Sequence, residues 1–174
     1  MPVGTFETIN TNLLASSQSS IVFSSIPNTY TDLVIVLVPV SDGANYIAVQ
    51  FNTDTSGSGT NYSRLAYSST GTTPYADLRS SRYAIEIDTQ ENTGSGGPNS
   101  TNEINIFNYT STSVYKTVFA RNSAGARSGG TNAVGLGTGT WRSYDAINSV
   151  RLTLNAGNFT SGTRATLYGI KAGQ

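Results

Sequence analysis

Apolar and polar residues alternate with period two along most of this chain, and no stretch carries a convincing helical stripe. That pattern is what a half-buried strand needs, because successive side chains point to opposite faces of a sheet. Val150–Leu154 sets Val150, Leu152 and Leu154 against Arg151 and Thr153. Tyr46–Phe51 places Ile47, Val49 and Phe51 on one face, and Tyr83–Ile87 opposes Tyr83, Ile85 and Ile87 to Glu86. Val114–Arg121, Asn102–Asn108, Thr163–Ile170, Ile21–Phe23 and Phe6–Leu14 read the same way. Leu33–Val38 is apolar on both faces, so it belongs centrally, covered on both sides or packed against a partner. Clusters of Gly, Ser, Asn and Pro separate these runs, as in Ser41–Asn45, Thr55–Asn61, Ser69–Pro74, Thr93–Ser100 and Ala126–Asn132. Ser143–Asn148 is the one candidate for a helical turn. The expected fold is all-β: an antiparallel β-sandwich, jelly-roll-like, of nine or ten short strands. At 174 residues the chain suits one such domain.

The residue inventory narrows function by exclusion. There is no His and no Cys. A Ser-His-Asp triad, a thiol nucleophile, a disulfide framework and ordinary zinc or haem ligation are therefore out of reach. Ten basic residues balance ten acidic ones. A neutral chain lacks the electrostatic footprint of a nucleic-acid binder. The first residues show neither a basic nor an apolar signal region, and the longest apolar run, Leu33–Val40, is too short to span a bilayer. No nucleic-acid or membrane partner is expected, and no cofactor.

Four local patterns resemble chemical sites. Asp88 and Glu91, near Glu86 and Glu103, form the tightest carboxylate group, and glycoside hydrolysis needs two carboxylates across a cleft. The commoner meaning is a solvated edge strand whose like charges discourage sheet-to-sheet sticking. Asn52, Asp54, Ser56 and Gly57 imitate the opening of a calcium loop, but Ser63 stands where the closing carboxylate belongs, and these residue types also form turns. Gly135, Gly137 and Gly139 look like a phosphate loop without the helix or the Lys that one requires, so they are read as a strand with a bulge or a close backbone approach. Finally, Tyr62, Tyr67, Tyr75 and Tyr83 mingle with Arg64, Arg79 and Arg82, in a stretch with little other apolar material. Tyr and Arg are the residues of protein interfaces, and Arg favours fixed bidentate contacts. Tyr62, Arg64, Tyr67, Tyr75, Arg79 and Arg82 are therefore interface candidates, with Phe6 from the N-terminal segment.

Several segments resemble a family of small β-sandwich virion proteins of tailed bacteriophages, common among those of cyanobacteria and other aquatic bacteria. They are Ser24–Leu37, Phe51–Ser63, the Trp141 region with Ala146 and Ile147, and Val150–Ile170. Arg79–Arg127 matches less well, as a variable loop region would. The resemblance implies a non-enzymatic virion protein, made in the host cytoplasm, that serves either as capsid decoration or as part of a tail fibre. It also implies that Trp141 belongs to the body of the fold. The chain carries no shaft-like segment, which favours a decoration (cement) protein bridging major capsid subunits. Its expected partners are the major capsid protein and copies of itself, as a trimer by resemblance. A tail-fibre module that binds a host receptor or glycan is the alternative. Met1–Asn12 is expected as an N-terminal docking arm, and residues 13–174 as the single β-sandwich domain.

Overall fold

A computed structural model describes residues 6–43, 46–54, 61–70, 73–88, 100–124 and 133–171. The strands are β1 (Phe6–Leu13), β2 (Ser20–Phe23), β3 (Asp32–Val38), β4 (Tyr46–Phe51), β5 (Tyr62–Thr70) and β6 (Thr73–Arg82). They continue as β7 (Ile85–Asp88), β8 (Ser100–Phe107), β9 (Lys116–Ala124), β10 (Ala133–Trp141), β11 (Val150–Leu154) and β12 (Arg164–Ile170). The chain is all-β, as the alternation implies, but with twelve strands in place of nine or ten. The unforeseen ones are β5 and β6, whose inward positions carry the charged Arg64, Asp77 and Arg79 beside Tyr62 and Ala66. Ser143–Asn148 is irregular chain and not a helical turn; the Ile147 N–H donates to the Tyr109 carbonyl instead. Among the described residues no helix is long and apolar enough to cross a membrane.

Two antiparallel sheets pack together. One has eight strands in the order β1-β12-β3-β8-β9-β10-β5-β6, the other four in the order β2-β11-β4-β7. The pairings β1·β12, β2·β11, β3·β8, β4·β7 and β5·β6 are nested inside one another. The fold is thus one long antiparallel hairpin rolled over on itself, which is jelly-roll topology. The β9–β10 hairpin is inserted between β8 and β5, outside this nesting.

The core lies between the sheets. Leu33, Ile35 and Leu37 of β3 face it, with Ile104 and Ile106 of β8 and Leu167 of β12; Ile47, Val49, Phe51, Val150 and Leu152 answer from the smaller sheet. β3 lies inside its sheet, between β12 and β8. Val34 on its outer side is buried too, while Val36 and Val38 are half-buried. Gly139 of β10 permits a close approach: a Cβ there would lie 2.6 Å from Cγ2 of Ile85 on β7. The strand runs in unbroken register beside β5 and β9, so the approach, and not a bulge, explains the glycine.

Most of the segment expected as a docking arm is part of the sheet. Phe6–Asn12 lies in β1, paired with β12 through a bulge between Thr8 and Asn10. Ile9 packs against the core, and Glu7 receives Tyr30 Oη at 3.0 Å and Lys171 Nζ at 2.9 Å. Residues 1–5 lie outside the described ones.

Candidate functional site

The densest polar cluster gathers where β5, β6 and β7 meet. Register sets Arg64 of β5 directly opposite Arg79 of β6, and Ala66 opposite Asp77. Two like charges face to face oppose pairing unless an anion lies between them. Asp77 Oδ2 does so, accepting from Arg64 Nη2 at 2.7 Å and Arg79 Nε at 2.6 Å. Glu86 of β7 completes the group. Its side chain is fully buried, and it accepts from Arg82 Nε at 3.1 Å and Arg79 Nη1 at 3.3 Å, and again from Arg82 Nη2. Arg64 Nε lies 3.5 Å from Glu86 Oε2, and Arg64 Nη1 donates to the Glu86 carbonyl at 3.0 Å.

Three guanidinium groups therefore hold two carboxylates. Burial raises the Asp77 carboxyl, but its bonds from Arg64 and Arg79 outweigh that and hold it below its ordinary value. The bond to Glu86 raises Arg82 further. Beside the cluster, Tyr46 Oη and Tyr83 Oη lie 3.2 Å apart, and burial first, then that bond, pushes Tyr46 up to about 12. Each carboxylate is bound by two or more guanidinium groups. The arrangement is a clamp that ties the β5–β6 edge of the large sheet to the small one.

The structure separates the sequence-derived candidates. Tyr62 and Arg64 are interior residues, so their assignment to an interface is corrected. Tyr62 stacks on Trp141 at 6.3 Å and packs beside Phe51; its hydroxyl accepts the Phe51 N–H at 3.0 Å and donates to the Asp54 carbonyl at 3.1 Å. Burial raises its phenol far above the usual range. Arg64 is the buried centre of the clamp. Arg79 and Arg82 are half-exposed at its rim. Tyr67 is exposed on the outer face of β5, and Phe6 is exposed on β1, edge-on to Tyr168 at 6.2 Å. Tyr75 lies on β6, opposite Ser68, with its side chain outside the described part.

The remaining patterns resolve locally. Glu86 is a buried, neutralised anion and not a solvated edge charge. Asp88 ends β7, and Glu91 is outside the described residues. Glu103 is paired with Arg121 at 2.7 Å. In the calcium-like pattern Asn52 and Asp54 spend their side chains on protein groups, while Ser56 and Gly57 lie outside the described residues. Asn52, with φ 54°, accepts the N–H groups of Asn148 and Ser149, while Asp54 accepts Trp141 Nε1 at 2.7 Å and Asn61 Nδ2 at 3.0 Å. Among the described residues no group of His, Cys, Asp and Glu is placed to hold a metal ion.

Lys116 was not legible as special. It is fully buried under Trp141 and donates to the carbonyls of Ser111 at 2.5 Å, Ser143 at 3.2 Å and Val114 at 3.4 Å. Burial lowers its pKa.

The outer face of β9, β10, β5 and β6 differs from the clamp in having almost no charge. Register aligns Leu136 with Tyr67, Leu65 with Leu78, and Thr138 with both Phe119 and Leu65. Arg121 lies on this face too, directly across from Leu136, and is paired with Glu103. No protein-family model matches the chain, and no curated protein matches it.

Proposed function

We propose that this protein is a non-enzymatic structural component of a phage virion, serving as a capsid decoration (cement) protein that bridges major capsid subunits and copies of itself. The observation that carries the reading is the exposed face of β9, β10, β5 and β6, mixed in apolar and hydroxyl side chains and, among the described residues, free of unpaired charge. Such a face suits broad, shape-matched contact, and the clamp at β5–β7 makes the body behind it rigid. Many copies on a lattice multiply modest contacts. The segments that resemble small phage β-sandwich proteins support the virion setting. One feature favours the second reading, a tail-fibre module for a host receptor or glycan: the exposed Tyr67 ring is free to stack on a sugar.

Quantitative mass spectrometry of purified particles tests the proposal. Hundreds of copies, comparable with the major capsid protein or a third to a half of it, are expected. A few to a few tens would move the protein to the tail and make glycan binding the next assay. Absence from every particle refutes both virion readings.

A further inference from the structure

We infer that a second copy of this chain covers the outer face of β9, β10, β5 and β6, sheet against sheet. Five large side chains crowd that face: Leu78 is 76% exposed, Val134 62%, Tyr67 56%, Leu136 51% and Phe119 40%. They are neighbours. Tyr67 is the direct cross-strand partner of Leu136, Val134 lies two residues along the same strand, and Phe119 is diagonal to Leu136. Leu78 adjoins them through its partner Leu65.

The area matches what a pair needs. The exposed parts of these side chains come to about 500 Å². A standard interface takes about 800 Å² from each partner, a little over half of it apolar, or about 450 Å². A patch of this size falls among the largest that soluble domains expose, which are often functional.

Charge points to a self-complementary partner. The ionic side chains that alternation places on the outer faces of β8, β9, β10, β5 and β6 are Glu103 and Arg121, and they neutralise each other at 2.7 Å. A partner with a charged surface would find no unpaired charge here to meet and would lose its own hydration. A second copy brings the same patch, whose one ion pair is already neutralised within its own chain, and two sheet faces stack about 10 Å apart with strands within about 30°. A two-fold axis then sets each patch against its equivalent and closes the assembly at two, not at the trimer that the family resemblance implies. This deepens the structural reading by naming what one face meets, but it does not depend on the virion.

Light scattering coupled to size exclusion, on the full chain without particles, tests it. The expected mass is twice the 18.3 kDa of one chain at micromolar concentration. Leu136→Asp and Leu78→Asp replace exposed residues, and each appears twice in a two-fold interface. Each is expected to weaken association at least ~100-fold, with the near-ultraviolet circular dichroism of the buried Trp141 and Tyr62 unchanged. A monomer at ~100 μM overturns the pairing, as does a trimer, or a dimer indifferent to both substitutions. Since no particle enters the experiment, a monomer leaves the virion reading to the copy-number test.

Discussion

Glu86→Gln isolates what the clamp contributes. The substitution preserves shape and one carbonyl acceptor but removes the charge. One amide orientation keeps an oxygen towards Arg82 at the Oε1 position, and the new NH₂ then faces Arg79 and Arg64, which lie 3.3 Å and 3.5 Å from Oε2. Donor meets donor there, and three guanidinium groups are left with Asp77 as their one anion. Breaking a buried ion pair by removing one partner costs about 3–5 kcal/mol. The Glu86 side chain is 0% exposed, which favours the upper part of that range, while the partial hydration of Arg79 and Arg82, at 41% and 30%, brings the cost down. About 4 kcal/mol is expected, or about 12 °C in Tm for a chain of this size. Glu103→Gln is the internal comparison. Its ion pair with Arg121 is as short, at 2.7 Å, but the side chains are 31% and 63% exposed, and such pairs contribute below about 1 kcal/mol. Urea unfolding followed by Trp141 fluorescence, at one protein concentration throughout, measures both. If Glu86→Gln costs no more than Glu103→Gln, burial of the cluster has no energetic meaning and the clamp is refuted.

Gly139→Ala forces a methyl group into Ile85 and should cost about 1–3 kcal/mol by overpacking; a neutral result in thermal unfolding contradicts the close approach. Lys116→Met keeps length and packing but removes the ammonium that ties together the Ser111, Val114 and Ser143 carbonyls, so a loss of about 2–3 kcal/mol is expected by urea titration. The lowered pKa of Asp77 contributes stability that is fully present above its unfolded value near 4 and is lost as pH falls through the lower folded value. Tm should therefore drop below about pH 4, and Asp77→Asn should flatten that limb; an unaltered slope counts against the linkage.

The strands that carry the core announced themselves in the sequence because their alternation is simple. Ile47, Val49 and Phe51, or Val150 and Leu152, face inward and have polar neighbours. β5 and β6 escaped detection because their inner face mixes ionic residues with Tyr62 and Ala66. Arg64, Asp77 and Arg79 are charged residues, which period-two reasoning assigns to solvent. The error over Tyr62 and Arg64 has the same root. Their partners, Trp141 and Glu86, are remote in sequence, so nothing local revealed that the ring was stacked or the guanidinium neutralised. Glu86 seemed to belong with Asp88 as like charges on one strand, and only the tertiary structure brings three arginines to it. Gly139 shows the limit from the other side. That a backbone approaches closely was legible in Gly135, Gly137 and Gly139; that the neighbour is Ile85 was not. The exposed apolar face was hidden for a further reason. Leu65, Tyr67, Leu78, Leu136 and Phe119 lie on four different strands, and only register assembles them.

The nested pairing also dictates an order of assembly. Thr70 and Thr73 are cross-strand partners, so β5 and β6 meet across the shortest of turns. Closing a large loop costs entropy that grows with the length of free chain between its ends. Once β5·β6 has formed, β4 and β7 need close only the short remainder outside it, and β3·β8 and β2·β11 follow by the same saving. β9 and β10, though inserted, are sequence neighbours and form their own local hairpin. Phe6 can therefore find Ile170 across nearly the whole chain without a search over that length. By this reasoning β1·β12 is expected to be the last pairing to close and the first to part.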